Sequence, residues 1–272
     1  MKVVTALIVG CAVASVLLQP AAGQTLAGQM VVGQTLVAIT RQKATAGPTE
    51  AVPLKRPVHR HVVDTIAPPA CRYRDQPALV SHDAGRTATV LDLRFALPAG
   101  YAPDDLVDVS RAGLNGSVQV RSVALPDLRE MVRAGRAAGV QLAVQSAYRS
   151  YALQVATFAG WVARAGRAEA LRFSARPGHS EHQLGTAIDF RSAGGPEPWN
   201  HDWARTPEGA WLAANAWRYG WVMSYPRGAR AKSCYGYEPW HYRYVGRALA
   251  GEIHASGLTP RVYLWRLAAE AT

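Results

Sequence analysis

Three short segments of the chain contain residues that can bind a metal ion and transfer protons. They are residues 146–150, 178–189 and 238–241, and together they supply imidazoles, carboxylates and one arginine. A catalytic zinc site takes three nitrogen or oxygen ligands from the protein and leaves a fourth position for water. Zinc lowers the pKa of that water to about 7, so that hydroxide forms at neutral pH. These residue types are therefore typical of a metal-dependent hydrolase.

Two of the candidate ligands, His182 and Asp189, are separated by a glycine that permits a turn. Gly185 lies between them, and glycine adopts the backbone conformations that tight turns require. Asp189 lies between Ile188 and Phe190, so on a strand its carboxylate would point to the face opposite theirs. A buried carboxylate without a partner is costly, and a cation is the simplest compensation. We therefore predict that His182 and Asp189 bind one ion.

The third segment offers another ligand and a general base. His241 opens a predicted strand, and the proline that follows Glu238 keeps that glutamate extended. Glu238 would then lie beside the metal as a general base without binding it. Each residue also has an ordinary explanation, because histidines are common in cores and Asp189 could pair with Arg191 or Arg243. The coincidence of these residues in short segments makes the metal site as good an explanation as the ordinary ones.

The elements that must position these residues follow a mixed pattern of strands and helices from residue 71 onward. Alternating apolar residues predict strands, which are placed at 91–97, 140–146, 186–191, 221–225 and 241–245. Capping and apolar spacing predict helices, which are placed at 126–139, from 151 onward, at 206–220 and, as the last, at about 246–257. The second of these helices would bury a broad stripe made of Leu153, Val155, Phe158, Trp161 and Val162. Because helices and strands do not alternate strictly, the pattern predicts an α+β domain.

At these segments the sequence closely resembles the D-alanyl-D-alanine carboxypeptidases of the VanY type, within the LAS group of zinc peptidases. The group's signature Ser-x-His-x-x-Gly-x-Ala-x-Asp is present at 180–189, and its Glu-x-x-His signature at 238–241. An upstream Tyr-Arg-Ser is present at 148–150, near Gln154. The resemblance runs from about 95 to 250. It implies a single zinc-peptidase domain with a small antiparallel sheet flanked by helices, similar to the LAS and Hedgehog folds.

The resemblance also implies a role for each site residue. One zinc ion would be bound by His182, Asp189 and His241. Glu238 would act as the catalytic base and acid, and Arg149 would stabilise the carbonyl oxygen or oxyanion and help to hold the substrate. The implied substrate contacts are Ser180 and Gln154. The expected reaction removes the C-terminal D-alanine from peptidoglycan stem peptides by attack of zinc hydroxide.

Two other functions remain open from the sequence. One is a LAS-type endopeptidase that cuts the L-Ala-D-Glu bond or a cross-link, and the other is a non-catalytic wall-binding module. The second predicts a broken ligand set, and the signatures are intact. The expected partner is the peptidoglycan stem peptide and not nucleic acid, and no particular oligomeric state is predicted. A formal net charge of +11 suits an anionic wall, although many arginines can also reflect compositional bias.

The N-terminal quarter of the chain, residues 1–70, differs from the rest in composition. Lys2, an apolar run over 3–18 and a small-residue site before residue 24 predict a signal peptide at 1–23. The run of sixteen residues is short for a membrane anchor, which needs about twenty. A lipoprotein modified at Cys11 is the second interpretation. Residues 24–70 are predicted to be a proline-rich low-complexity linker, with an ordered extra layer on the domain as the alternative, and residues 71–272 are predicted to form the domain.

Export to the periplasm, cell envelope or medium follows from this interpretation, with no stable membrane span once the signal is cleaved. The chain has 272 residues, of which 49% are hydrophobic, and its one strongly apolar stretch is the N-terminal one. This pattern excludes a polytopic membrane protein. Cys71 and Cys234 would remain after cleavage. Either a disulfide between them or two separate buried thiols is consistent with the sequence.

Overall fold

The structure is a computed structural model, and it describes residues 67–79 and 87–270. The predicted signal peptide at 1–23 and nearly all of the predicted linker at 24–70 lie outside the described residues, so both stay predictions. Within the described part of the chain, no helix combines the length and the apolar character that crossing a membrane requires.

The described residues form short strands and α-helices in a mixed order. The strands are β1 (Gln76–Pro77), β2 (Phe95–Ala96), β3 (Leu106–Asp108), β4 (Gln119–Arg121), β5 (Leu142–Ser146), β6 (Ala187–Ser192), β7 (Trp221–Met223) and β8 (His241–Tyr244). The helices are α1 (Leu125–Ala137), α2 (Tyr151–Phe173), α3 (Pro207–Asn215), α4 (Arg230–Ser233), α5 (Arg247–Ser256) and α6 (Pro260–Glu270). This content confirms the predicted α+β class.

A four-stranded antiparallel sheet with the order β5-β6-β8-β7 forms the centre of the fold. On β6, Ile188 and Phe190 are fully buried in the main hydrophobic core. Asp189 lies between them and therefore points to the other face of the sheet. In the register of the sheet, Asp189 pairs with Ser146 on β5 and with His241 on β8. The sheet thus brings chemistry-bearing residues from three strands to one place.

Helix α1 covers the apolar face of this sheet, as its spacing predicts. Leu128, Met131 and Val132 are buried in the main core. Pro126 lies in the first turn, where a missing N–H group costs nothing. The backbone of Gly139, just beyond the helix, is left-handed with a φ of 77°. The predicted helix at 126–139 is therefore confirmed.

Helix α2 begins where predicted but turns a different face to the protein. Ser150 caps it by accepting a hydrogen bond from the Leu153 N–H. Leu153 and Val155 are 55% and 44% exposed, so the predicted buried stripe is wrong at these positions, although Phe158 is buried. The physical reason is Gln154, which faces inward to satisfy polar groups and so rotates its neighbours outward.

Two other element predictions are wrong in part. The predicted strand at 91–97 is reduced to β2, because the Asp92 carboxylate accepts hydrogen bonds from the N–H groups of Arg94 and Phe95 and so holds a turn. The helix predicted as the last is followed by α6, which the sequence reasoning missed. Leu264 of α6 packs beside Phe95, so the last helix covers β2.

The two cysteines of the predicted domain are bonded to each other. Cys71 and Cys234 form a disulfide with a Cα–Cα distance of 5.1 Å, across 163 positions of sequence. The alternative of two separate thiols is therefore wrong. Among the tryptophans, Trp203 is fully buried, whereas Trp199 is 47% exposed and donates its indole N–H to Glu197 Oε2 at 3.0 Å.

Candidate metal centre

A tight turn places His182 just before β6, an inner strand of the central sheet. The residue lies in the 3-10 helix Glu181–Leu184, which ends at Gly185 with a left-handed φ of 73°. A Cβ atom at this glycine would lie 3.0 Å from side-chain carbons of Arg121 and Pro103. Because both the φ angle and the space require glycine, the turn predicted from the sequence depends on this residue. The chain enters β6 directly after it.

Three predicted ligands meet on the polar face of the sheet. Asp189 Oδ2 lies 3.1 Å from His182 Nε2, and Asp189 Oδ1 lies 2.9 Å from His241 Nδ1. One ligand atom from each residue lies within 4.8 Å of the others, and all three side chains are buried. The structure therefore brings together the residues that the sequence singles out.

The opposite nitrogen of each imidazole is already bonded to the protein. His182 Nδ1 lies 2.7 Å from the carbonyl oxygen of Ala147, and His241 Nε2 lies 2.9 Å from Glu181 Oε2. An imidazole that donates from one nitrogen presents the other as a metal ligand. The candidate ligand atoms are thus His182 Nε2 and His241 Nδ1, and both face Asp189.

The electrostatics of the cluster suit a cation. Burial would lower the pKa of His241, but hydrogen bonds with Asp189 and Glu181 raise it to about 10. Burial would raise the pKa of Asp189, but the two histidines hold it well below its usual range. The carboxylates therefore attract positive charge to this position. Two imidazole nitrogens and one carboxylate are a donor set that fits Zn²⁺, whereas Ca²⁺ and Mg²⁺ prefer oxygen ligands alone.

Glu238 lies at the edge of the cluster on a turn that its neighbours dictate. The His241 N–H donates to the Glu238 carbonyl oxygen at 3.1 Å, and Pro239 occupies the position of the turn that proline favours. Glu238 Oε2 lies 4.0 Å from His241 Nδ1, and the side chain is 28% exposed. Burial raises the pKa of Glu238 to about 7. A carboxylate that is accessible and titrates near neutrality suits a general base.

Arg149 points into the same region from the loop before α2. Its guanidinium donates to Gln154 Oε1 at 2.9 Å and to Ser146 Oγ at 3.2 Å. Burial lowers the pKa of Arg149, while the negative charges of Asp189 and Glu238 act against that shift. The arginine is therefore a fixed hydrogen-bond donor beside the predicted ligands and base.

The two predicted substrate contacts, Ser180 and Gln154, are both buried. Ser180 is buried directly before the turn that carries His182. Gln154 is only 1% exposed, and its amide donates to the carbonyl oxygen of Ala175 at 2.7 Å. In this structure Gln154 holds Arg149, and the substrate contact of both residues stays a prediction.

The sequence reasoning missed the role of Glu181. Its carboxylate is buried and accepts hydrogen bonds from Ser224 Oγ at 2.6 Å and from Arg243 Nη1 at 3.0 Å. Burial would raise the pKa of Glu181, but Arg243, His241 and Ser224 hold it at about 2. Arg243, considered above as a partner of Asp189, pairs with Glu181 instead. The only sequence signal for this role was that Glu181 is adjacent to His182. Hydrophobic periodicity does not show which partners a carboxylate has.

Comparison with known protein families agrees with the geometry. The sequence model of the VanY family, described as D-alanyl-D-alanine carboxypeptidase, matches residues 117–247. This range contains every predicted site residue. The chain is 36% identical over 179 residues to YodJ of Bacillus subtilis (strain 168), whose name refers to a carboxypeptidase. That match covers 64% of this chain and 65% of YodJ, so the chain spans slightly less than two thirds of that relative.

Two solved structures share this fold, and each aligns with this chain over nearly its whole length. The LD-carboxypeptidase LdcB, studied for peptidoglycan recognition, superposes with a TM-score of 0.61 at 30% identity, over 74% of this chain and 97% of LdcB. A Glu-to-Ala variant of the D,D-pentapeptidase VanY, in complex with Zn(II), superposes with a TM-score of 0.56 at 30% identity. That match covers 65% of this chain and 98% of the VanY chain.

Proposed function

Because the chain belongs to the VanY family of D-alanyl-D-alanine carboxypeptidases, we propose that it is an exported zinc metallopeptidase that removes the C-terminal D-alanine from peptidoglycan stem peptides. The observation that carries this proposal is the buried cluster of His182, Asp189 and His241, whose ligand atoms lie within 4.8 Å of one another. Zinc is supported by this donor set and by the Zn(II) complex of the related VanY. A zinc ion bound here would supply a Lewis acid and lower the pKa of a coordinated water to about 7.

Glu238 performs the proton transfers in the proposed reaction. It accepts a proton from the attacking water and donates it to the amine of the departing D-alanine. A pKa of about 7 allows the same carboxylate to do both at neutral pH. No covalent intermediate is needed, so the serines near the site have no nucleophilic role.

Arg149 stabilises negative charge on the substrate. Its guanidinium donates to the carbonyl oxygen of the scissile bond, where charge develops during attack. Gln154 and Ser146 hold the guanidinium in place, so little reorganisation is required when the substrate binds. A donor fixed in this way stabilises the transition state more than a mobile donor does, because its orientation is already set.

Export is supported by two features of the chain. Residues 1–23 have the composition of a secretory signal, and the following proline-rich segment would space the domain from its point of attachment or release. The disulfide between Cys71 and Cys234 is of a kind that persists in oxidising compartments outside the cytoplasm. A stem peptide in the cell wall is accessible only there.

A second candidate activity is that of an L,D-carboxypeptidase. LdcB, an LD-carboxypeptidase, covers 74% of this chain against 65% for the VanY structure, and has the higher TM-score of the two. The metal cluster and Glu238 would serve either activity, because both remove one terminal residue by hydrolysis. The difference lies in the configuration of the residue that precedes the terminal D-alanine.

A product assay separates these activities. The full chain, loaded with zinc, is incubated with a stem pentapeptide ending in D-Ala-D-Ala and with the tetrapeptide that lacks the last residue. We expect D-alanine and tetrapeptide from the first substrate, detected by mass spectrometry. If D-alanine is released from the tetrapeptide but not from the pentapeptide, the chain is an L,D-carboxypeptidase. If internal fragments appear, it is an endopeptidase. If neither peptide is cleaved, the proposed function is wrong.

A further inference from the structure

The Glu181 carboxylate lies on the side of His241 that faces away from the other two candidate ligands. His241 Nδ1 faces Asp189 at 2.9 Å, while Nε2 on the opposite side of the ring faces Glu181 Oε2 at 2.9 Å. All three side chains are buried. The imidazole is therefore held between two carboxylates, and only one of them belongs to the predicted ligand set.

Glu181 is itself fixed by two donors. Ser224 Oγ donates to Oε2 at 2.6 Å, and Arg243 Nη1 donates to Oε1 at 3.0 Å. The second amino group of Arg243 donates to the carbonyl oxygens of Thr87 and Thr89 at 2.9 and 2.6 Å. A chain of hydrogen bonds thus runs from the backbone through Arg243 and Glu181 to His241.

The ring of His241 is also held against rotation. Tyr225 stacks on it with ring centroids 4.7 Å apart and an interplanar angle of 27°. The remaining freedom of the imidazole is which nitrogen carries the proton. A carboxylate at Nε2 stabilises the tautomer with the proton on that nitrogen, which leaves Nδ1 free to bind a metal.

The other histidine of the cluster has a weaker partner. His182 Nδ1 lies 2.7 Å from a neutral carbonyl oxygen, that of Ala147. A carboxylate partner makes an imidazole more basic than a carbonyl partner does, and such partners affect metal affinity. The two histidines are therefore not equivalent, and His241 is the one whose strength as a ligand is set by another ionised side chain.

From this geometry we propose that Glu181 is a positioning residue, which holds His241 in the tautomer and orientation that bind the metal. The inference rests on the proposed metal centre and goes beyond it, because Glu181 is neither a ligand nor the base. The competing explanation is that Glu181 only neutralises the buried Arg243. The two explanations differ in what they predict for metal affinity.

The test is the affinity of the full chain for zinc, measured by competition with a chromophoric chelator. In the Glu181→Gln variant we expect affinity to fall about 10- to 100-fold, the range found when such partners are removed. The absorption spectrum of the Co²⁺-substituted protein should also change, because it reports the geometry of the ligands. Ser224→Ala removes one hydrogen bond from the same carboxylate but keeps its charge opposite Arg243, and we expect a smaller fall in the same direction.

Asp92→Asn is the matched control. Asp92 and Arg261 form a second buried ion pair, and Asp92 contacts no candidate ligand. This variant should lower the melting temperature of the metal-free protein without altering its zinc affinity or the Co²⁺ spectrum. If Glu181→Gln fails to fold, Ser224→Ala still tests the proposal, because the ion pair with Arg243 is intact.

Three results would overturn the proposal. They are a zinc affinity within twofold of wild type in Glu181→Gln, an unchanged Co²⁺ spectrum in that variant, or an equal loss of affinity in Asp92→Asn. If Glu181→Gln does not fold, the first two results in Ser224→Ala overturn the proposal instead. The proposed function fails separately, if the wild-type chain binds no zinc or cleaves no stem peptide. A wild type that binds zinc and is active beside a Glu181→Gln variant of equal affinity contradicts only the role of Glu181.

Discussion

Replacing Glu238 by glutamine tests the proposed proton transfer with little change of shape. Glutamine keeps the size of the side chain and removes the group that accepts the proton. Glu238 Oε2 lies 4.0 Å from His241 Nδ1, beyond hydrogen-bond distance, and the side chain is 28% exposed. Glu238 is therefore not part of the buried ligand set, and we expect the variant to fold and to bind zinc as the wild type does.

The expected loss of activity follows from the two tasks given to this carboxylate. General acid and base assistance by one side chain contributes about 10²- to 10⁴-fold. Because Glu238 would both accept the proton from water and donate it to the amine, we expect kcat to fall by about 10³-fold or more. A tenfold change in rate is about 1.4 kcal/mol, so this loss is about 4 kcal/mol of barrier.

The assay is D-alanine release from the stem pentapeptide, with zinc content and melting temperature measured on the same preparation. Glu197→Gln is the matched control, since Glu197 is an exposed carboxylate that bonds Trp199. The control should retain wild-type kcat. If Glu238→Gln keeps full zinc content and a kcat within tenfold of wild type, Glu238 is not the general base.

The other expectations concern the substrate and the fold. Arg149→Ala should lower kcat/KM at unchanged zinc content, whereas loss of zinc would make its role structural. Gly209→Ala should destabilise the protein by about 2 kcal/mol or more in urea unfolding, because its Cβ would lie 2.2 Å from a backbone oxygen. Gly251→Ala, which meets nothing within 4 Å, should be neutral or stabilising by up to about 1 kcal/mol, and equal effects would contradict the packing described. Replacing Cys71 and Cys234 by serine should cost about 2–5 kcal/mol, and an unchanged melting temperature would exclude a stabilising bond.

Local signals in the sequence predict the elements near the site well. Ser150 caps α2, and α3 begins at the proline after Thr206. Both helix starts are predicted from the residue type at one or two positions. The strand pattern around Asp189 predicts both its strand and the face on which it lies. These features depend on neighbours within a few residues, which is the range that sequence reasoning covers.

Errors occur where one polar contact outweighs an apolar pattern. Gln154 turns inward on α2 because Arg149 needs a partner, and so the apolar residues beside it are exposed. Asp92 bends a segment whose alternation predicts a strand. Both contacts involve a single side chain, and hydrophobic periodicity carries no information about them.

In the candidate site too, features with a local sequence signal are predicted and features that depend on distant residues are not. The ligand set at His182, Asp189 and His241 is predicted because its spacing forms a recognisable signature. The role of Glu181 is not, because it depends on Arg243 and His241 reaching it from another strand, 62 and 60 positions away. Long-range partners of a buried carboxylate become visible only once the strands are paired.

The zinc content and the zinc ligands of the purified chain test the proposed metal centre most directly. We predict one zinc ion per chain, with X-ray absorption that shows two imidazole nitrogens and one carboxylate oxygen from the protein, and loss of the ion in His182→Ala, Asp189→Ala and His241→Ala. A chain that binds no zinc after dialysis against the metal, or that binds it equally well in these three variants, would contradict the metal centre described.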